Sequence, residues 1–194
     1  MNVSVVIPVK AFTAAKLRLS PALTPRQREA LAKHMAQNVV DAAGPLPVVI
    51  VCDDAAVRTW ASQQDLTVCW SPGLGLDGAV EAGVALAESN GAERIIVAHS
   101  DLPLAANFEH LLSIDGVVIV PDRRLDGTNV IVIPPSQGFR FAYGPGSFGR
   151  HHQEAIRLGL EVSVLNDEHL NWDVDIPDDL HLPGGRSLLE EVRN

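Results

Sequence analysis

Short runs of β-branched residues alternate with segments of helical periodicity through the first half of this chain. The runs cover 3–9, 48–52, 67–70 and 94–98, and apolar residues recur at a helical spacing between them. This rhythm is typical of βαβ units, whose strands lie parallel in one sheet that helices cover on both faces. We therefore predict an α/β fold with three layers, α/β/α, in a single domain over residues 1–194.

The ends of the helices are marked by residue type. The first helix is predicted to begin at Pro25, after Thr24 as its N-cap, and to end at Gly44, with Met35 on its apolar face. A second helix is predicted over 78–90, with Asp77 as its cap.

After residue 116 the rhythm changes. Three strand-like runs, 117–120, 129–133 and 139–143, follow one another with turns and no room for a helix between them. Antiparallel strands are expected there, because only they join through short turns. A helix over 147–158 and a strand over 162–165 are predicted next, so the sheet should be mostly parallel but mixed.

The charge of the chain is unevenly distributed. The net charge is −9, which argues against nucleic acid as a partner, yet residues 1–33 hold six cations and one anion. A cationic start and an acidic end suit an anionic ligand held together with a divalent cation, although solvated surfaces give similar runs. The two cysteines, Cys52 and Cys69, form no C-x-x-C pair, which predicts buried free thiols in the cytoplasm. The chain contains no apolar run of about 18 residues, so the sequence predicts no membrane partner.

Chemistry-bearing residues follow the predicted strands, where parallel sheets bind ligands. Lys10, Lys16 and Arg18 follow the first strand and suit phosphate groups, or else form an ordinary basic surface loop. Asp101 follows the fourth strand and suits a hard cation such as Mg²⁺, unless it serves only as a turn or helix cap.

Asp173 and Asp175 are the candidates for further carboxylates at the same site. Alternate residues of an extended segment point the same way, so both can face one cation that relieves their repulsion. Asp178 and Asp179 follow Pro177 at the start of a predicted helical turn and are interpreted as structural.

Two glycine-rich segments complete the set of candidates. The segment 144–147 opens a helix at Ser147 and offers an anion site to which Thr128 adds a hydroxyl, or else an ordinary N-cap. The segment 73–78 matches G-x-G-x-x-G, which would suit an NAD-dependent oxidoreductase if it lay at the first βα turn. It lies after the third strand instead, so we expect Gly75 and Asp77 on the base or ribose side of a nucleotide.

Taken in order, the motifs at 7–10, 15–19, 100–103, 126–128, 144–147 and 173–177 resemble those of one enzyme family. The chain is similar, over residues 3–180, to the guanylyltransferases of coenzyme F420 biosynthesis. Those enzymes resemble nucleotidyltransferases of the glycosyltransferase-A-like, or nucleotide-diphospho-sugar transferase-like, fold. They transfer GMP from GTP to phosphoenolpyruvate or 2-phospho-L-lactate and release pyrophosphate.

The resemblance implies a role for each matching residue. It implies Asp101, Asp173 and Asp175 as Mg²⁺ ligands, Lys10, Lys16 and Arg18 as contacts of the GTP phosphates, and Thr128, Gly144 and Ser147 as contacts of the phosphorylated acid. Asp77 stands where the family commonly has Asn. The sequence alone leaves three alternatives open. These are another acceptor (3-phosphoglycerate, a sugar phosphate or a molybdopterin), a non-catalytic GTP-binding module, and a homodimer as the assembly.

Overall fold

The computed structural model describes residues 1–191, which form one seven-stranded sheet with helices on both faces. The strands are β1 (Val3–Pro8), β2 (Val48–Cys52), β3 (Thr67–Trp70), β4 (Arg94–Ala98), β5 (Val117–Pro121), β6 (Thr128–Ile133) and β7 (Val162–Val164). The α-helices are α1 (Pro25–Ala42), α2 (Ala55–Ser62), α3 (Gly75–Ser89), α4 (Ser147–Arg157) and α5 (Leu188–Glu191). Short 3-10 turns lie at Phe12–Ala14, Leu17–Leu19, Glu109–Ser113, Pro177–Leu180 and Pro183–Gly185.

The sheet is mixed, as predicted. Its strand order is β3-β2-β1-β4-β6-β5-β7, and the first four strands pair in parallel. Strand β6 runs antiparallel to both β4 and β5, while β7 is parallel to β5. Because β6 is reversed, its first residues lie at the same edge of the sheet as the last residues of β4, where the His99 amide donates to the Asn129 carbonyl over 2.9 Å.

Alternate residues of each strand pack against opposite helical layers. Val5 and Ile50 lie on the face that α1 and α2 cover, whereas Val6 and Val49 lie on the face that α3 and α4 cover. Strands buried on both faces read as continuous apolar runs, which explains the β-branched runs of the sequence. The three-layer α/β architecture is therefore confirmed.

Helix α1 shows how local signals determine an element. The Thr24 hydroxyl accepts the Gln27 amide, and the Gln27 side chain accepts the Thr24 amide, which completes a capping box before Pro25. Gly44 adopts a φ of 55° just beyond the helix. Met35 is fully buried, as predicted, and packs with Val174 of the C-terminal segment.

Two predicted elements differ from the structure. Helix α3 begins at Gly75 rather than at 78, so Asp77 lies in its first turn and is not its cap. Residues 139–143 form no strand, because side chains of helix α4 accept hydrogen bonds from their amides: Glu154 accepts from Arg140 and His151 accepts from Ala142. Strands β1 and β7 also end one residue earlier than predicted, at Pro8 and at Val164.

Cys52 and Cys69 are both free thiols, as predicted. The prediction that they are buried is confirmed for Cys52 and wrong for Cys69, which is half-buried. In the portion of the chain that the structure describes, no helix is both long enough and apolar enough to cross a bilayer.

Candidate active site

A cleft of about 570 Å³ opens at the edge of the sheet where β1 and β4 end and β6 begins. The loop after β1, the turn after β4, the β5–β6 turn, the loop before α4 and the 173–175 segment contribute its walls. Of the predicted site residues, those lining the cleft are Lys10, Lys16, Arg18, Asp101, Thr128, Gly144, Ser147, Asp173 and Asp175. Residues that are up to 165 positions apart in the sequence thus meet in one place.

Lys16 lies at the centre of the charged wall. Its backbone has a φ of 56° and a ψ of 39°, a left-handed conformation that a side chain adopts at some cost. Its Nζ lies 2.5 Å from Asp101 Oδ2 and 3.4 Å from Asp175 Oδ1. Burial alone would lower the pKa of Lys16, but the charges and hydrogen bonds of these two carboxylates outweigh it and raise the pKa. The ammonium therefore carries its full charge inside the cleft.

Asp101 and Asp173 provide the buried carboxylates of this wall. Burial would raise the pKa of Asp101, yet the neighbouring Lys16 charge keeps that pKa below its usual value. The pKa of Asp173 is raised to about 6, first by burial and then by the charges of Asp101 and Asp175. Negative charge is therefore concentrated beyond what one lysine neutralises.

Two carboxylate oxygens of this wall are free to bind a hard divalent cation. Asp101 Oδ1 and Asp173 Oδ1 are buried and accept no hydrogen bond within residues 1–191, and Asp173 Oδ1 lies 3.8 Å from Arg124 Nη1. Carboxylate oxygens are the ligands that Mg²⁺ prefers. Within residues 1–191, however, no three acidic, imidazole or thiol side chains are grouped so that they could hold a metal ion. At this site the Lys16 ammonium contacts both Asp101 and Asp175.

Asp179 anchors the segment that carries Asp173 and Asp175. This fully buried carboxylate accepts from both arginines of the β5–β6 turn, Arg123 and Arg124, the latter over 2.8 Å. Its other oxygen accepts the amides of Asp175, over 2.7 Å, and Ile176, over 2.9 Å. These bonds outweigh burial and lower the pKa of Asp179. The structural role expected for Asp179 is confirmed, whereas Asp178 is exposed.

Arg18 and Lys10 extend the positive charge to the mouth of the cleft. Arg18 is three-quarters exposed, with Nη1 3.6 Å from Asp175 Oδ2, and Lys10 is exposed at the start of the loop that follows β1. Such side chains move at little cost, so both remain available to phosphate groups.

Elsewhere in the wall of the cleft, two buried hydroxyls retain their hydrogens. Ser147 Oγ accepts the Thr128 amide over 3.1 Å, and Thr128 Oγ1 lies 3.0 Å from His151 Nδ1. His151 Nε2 accepts the Ala142 amide over 3.0 Å, and burial lowers the pKa of His151 to about 4. The imidazole is therefore neutral with its hydrogen on Nδ1, and it donates to Thr128. Both hydroxyls act as acceptors internally and keep a hydrogen for a ligand.

Gly75 and Asp77 lie next to the cleft rather than in its wall. Leu76 between them lines the cleft, whereas Asp77 Oδ1 accepts the Tyr143 amide over 2.7 Å and so holds the loop before α4. The contact of Gly75 and Asp77 with a base or ribose stays a prediction.

Two residues that shape the cleft, Asp122 and His151, were not predicted from the sequence. Asp122 accepts three amides of its own turn, those of Arg124, Asp126 and Gly127, and a Cβ at Gly127 would lie 2.9 Å from its carboxylate. His151, considered on sequence only as a superficial metal pair with His152, orients Thr128. The Asp-x-x-x-x-Gly spacing of a carboxylate-capped turn was the one local signal for Asp122.

The chain shares sequence with known proteins over most of its length. The chain matches the family described as "Guanylyl transferase CofC like" over residues 3–182. It is 38% identical to the phosphoenolpyruvate guanylyltransferase of Rubrobacter xylanophilus, with 93% of this chain and 92% of the relative covered. It is 35% identical to the 2-phospho-L-lactate guanylyltransferase of Methanothermobacter thermautotrophicus, with 93% and 83% covered.

Solved structures agree on the fold. A chain from Desulfovibrio desulfuricans G20 assigned to the nucleotide-diphospho-sugar transferases superposes with a TM-score of 0.72 at 19% identity, covering 93% of this chain and 86% of that one. A nucleotidyl transferase from Methanothermobacter has a TM-score of 0.61 at 16% identity, covering 92% and 94%. The predicted nucleotide-diphospho-sugar transferase-like fold is thus confirmed, and by its family match over nearly the whole chain this protein belongs to the CofC-like guanylyl transferases.

Proposed function

We propose that this protein transfers the GMP moiety of GTP to a small phosphorylated acid, phosphoenolpyruvate or 2-phospho-L-lactate, and releases pyrophosphate. The relatives that carry these activities by name align with 93% of the chain. The family resemblance connects the reaction with coenzyme F420 biosynthesis, and the free thiols Cys52 and Cys69 suit the reducing cytoplasm.

One observation carries the proposal: the two walls of the cleft have complementary chemistry. One wall presents the buried Lys16 ammonium among carboxylates, with Arg18 at its mouth. The other presents the hydroxyls of Thr128 and Ser147, which have hydrogens to donate. The first wall suits a metal-bound triphosphate and the second a small anion, which would bring two substrates together in one cleft.

In the proposed reaction, a phosphate oxygen of the acceptor forms a bond to the α-phosphorus of GTP. The bond from that phosphorus to the bridging oxygen of the β-phosphate breaks, and pyrophosphate leaves with the bonding electrons. A phosphate dianion is already a nucleophile, so the step requires no general base. What the protein contributes is the positioning of the substrates and the neutralisation of their charge.

Each wall has its part in this mechanism. Lys16, Arg18 and Lys10 would neutralise the triphosphate, and Asp101, Asp173 and Asp175 would hold Mg²⁺. When bound, Mg²⁺ would supply Lewis-acid stabilisation of the charge on the phosphates. Thr128 and Ser147 would donate hydrogen bonds to the acceptor, while neutral His151 keeps the Thr128 hydrogen directed away from itself.

A pyrophosphate-release assay tests the proposal. GTP and ATP are each combined with phosphoenolpyruvate, 2-phospho-L-lactate and 3-phosphoglycerate, with Mg²⁺ present or removed by a chelator. We expect release with GTP and one of the first two acids, and only when Mg²⁺ is present. If no combination releases pyrophosphate, the proposal fails.

Two aspartate variants make the test specific to the cleft. Asp101→Asn should greatly reduce turnover, whereas Asp178→Asn, on an exposed side chain outside the cleft wall, should leave it unchanged. Circular dichroism shows whether both variants are folded. Near-wild-type turnover in a folded Asp101→Asn protein would exclude the assigned role of Asp101.

A further inference from the structure

Arg150 folds back from the first turns of α4 onto the loop that precedes the helix. Its Nη1 lies 2.7 Å from the carbonyl oxygen of Pro145 and its Nε 3.1 Å from that of Ala142. Its Nη2 lies 2.9 Å from the same Ala142 oxygen, 3.2 Å from that of Tyr143 and 3.4 Å from that of Gly144. One guanidinium thus gathers four consecutive carbonyls.

The position of this cation is unusual for a helix. The N-terminal turn of a helix carries partial positive charge, so an arginine there is disfavoured unless other groups compensate. Here the four carbonyls compensate it, and the absence of a side chain at Gly146 makes room, because a Cβ there would lie 3.2 Å from Arg150 Nη1. A local rule that is broken and locally compensated is typical of a functional site.

The amides of the same loop are accounted for on the other side. Asp77 accepts the Tyr143 amide over 2.7 Å, and Asp126 accepts the Gly146 amide over 3.0 Å. Pro145 has no amide hydrogen, so across this loop only the Gly144 N–H donates to no protein group within residues 1–191. Gly144 itself lines the cleft beside Ser147.

We propose that Arg150 is the positioning residue of the acceptor subsite: by holding the carbonyls of residues 142–145, it aims the free Gly144 N–H into the cleft beside the hydroxyls of Thr128 and Ser147. Arg150 does not line the cleft itself and acts through the loop. The ligand class is a small dianionic phosphate or carboxylate, because three converging donors recognise such a group. The inference rests on the proposed function, whose acceptor this subsite binds.

Because Arg150 is exposed, its role in positioning the loop can be tested without unfolding the protein. Without the guanidinium, the four carbonyls can bond to water, so the fold should survive while the loop loses its fixed orientation. Arg157 provides a matched control, since it lies on the same helix, is exposed and, within residues 1–191, pairs only with Glu154.

The experiment compares wild type, Arg150→Met, Arg150→Lys and Arg157→Met. Phosphoenolpyruvate and 2-phospho-L-lactate are titrated by calorimetry onto each protein, saturated with Mg²⁺ and a GTP analogue whose α–β bridge is a methylene group. KM values for GTP and for the acceptor are measured in parallel, together with melting temperatures.

Both Arg150 variants should bind the acceptor at least about tenfold more weakly, the factor that about 1.4 kcal/mol gives. The KM for GTP and the melting temperature should stay near those of Arg157→Met. Lysine should not rescue, because one ammonium cannot span four carbonyls.

Unchanged acceptor affinity in Arg150→Met would overturn the proposal, and so would a parallel loss of GTP and acceptor affinity. Full rescue by lysine would show that charge alone matters and would overturn the positioning role. A wild type that binds the acceptor but releases no pyrophosphate would refute the proposed function and leave the affinity comparison to judge Arg150. A wild type that binds no acceptor would overturn both.

Discussion

Replacing Asp179 with asparagine tests the anchor on which the carboxylate wall depends. The side chain is fully buried and accepts from four donors, two guanidiniums on one oxygen and two amides on the other. Asparagine keeps the volume but has one acceptor oxygen, so its NH₂ group must face one pair of donors. With that oxygen toward the amides, two charge-assisted hydrogen bonds are lost at about 1.5 kcal/mol each, the lower end of their range because both arginines reach water.

We therefore expect Asp179→Asn to lower the free energy of unfolding by about 3 kcal/mol. Urea denaturation, followed by circular dichroism and by tryptophan fluorescence, measures the change; Trp172 reports locally because its Nε1 donates to the Asp179 carbonyl over 3.1 Å. Asp178→Asn is the matched control and should stay within about 0.5 kcal/mol of wild type. A loss of less than about 1 kcal/mol in Asp179→Asn would refute the anchoring role.

Three further predictions concern packing, protonation and the charged wall. Gly83→Ala should cost about 1–3 kcal/mol of stability by denaturation, because its Cβ would lie 2.4 Å from Val51 Cγ2. Relative to His151→Gln, the wild type should lose up to about 3 kcal/mol of its free energy of unfolding between pH 6.5 and 4. Folded His151 has a pKa of about 4 and stays neutral over most of this range, whereas the unfolded imidazole takes up a proton. Lys16→Met should bind Mn²⁺ at least about tenfold more tightly by nucleotide-free calorimetry, since the ammonium 2.5 Å from Asp101 no longer competes.

Equal denaturation midpoints for Gly83→Ala and wild type would contradict the first prediction, because the contact between α3 and Val51 would then adjust to the added methyl group without loss of stability. Parallel pH profiles for wild type and His151→Gln would contradict the neutral imidazole. Unchanged Mn²⁺ affinity in Lys16→Met would mean that the Lys16 ammonium does not compete with the metal ion for the carboxylates.

The elements that sequence predicted well are those whose causes are local. The run 48–52 and the Thr24 cap identify β2 and the start of α1 without knowledge of the rest of the chain. Residues 139–143 have an equally β-like sequence and yet form no strand. Their amides bond to His151 and other side chains of packed helices, and such partners come into reach only when the chain is folded.

The same distinction holds for the site. The order of motifs predicted which residues would gather in the cleft, because the ends of neighbouring strands share one edge of the sheet. It did not predict that Lys16 would lie between Asp101 and Asp175, since this depends on a left-handed backbone at Lys16. The arginine that holds four carbonyls, Arg150, was passed over because nothing in its neighbours' identities marks it.

In the proposed reaction the α-phosphorus of GTP moves to the acceptor. GTP carrying radioactive phosphorus at the α position, incubated with Mg²⁺ and phosphoenolpyruvate or 2-phospho-L-lactate, tests it when the products are separated and the pyrophosphate is quantified. We expect label in a product that contains both GMP and the acid, with an equal amount of unlabelled pyrophosphate. Label recovered only in GTP, GDP or free GMP would contradict it.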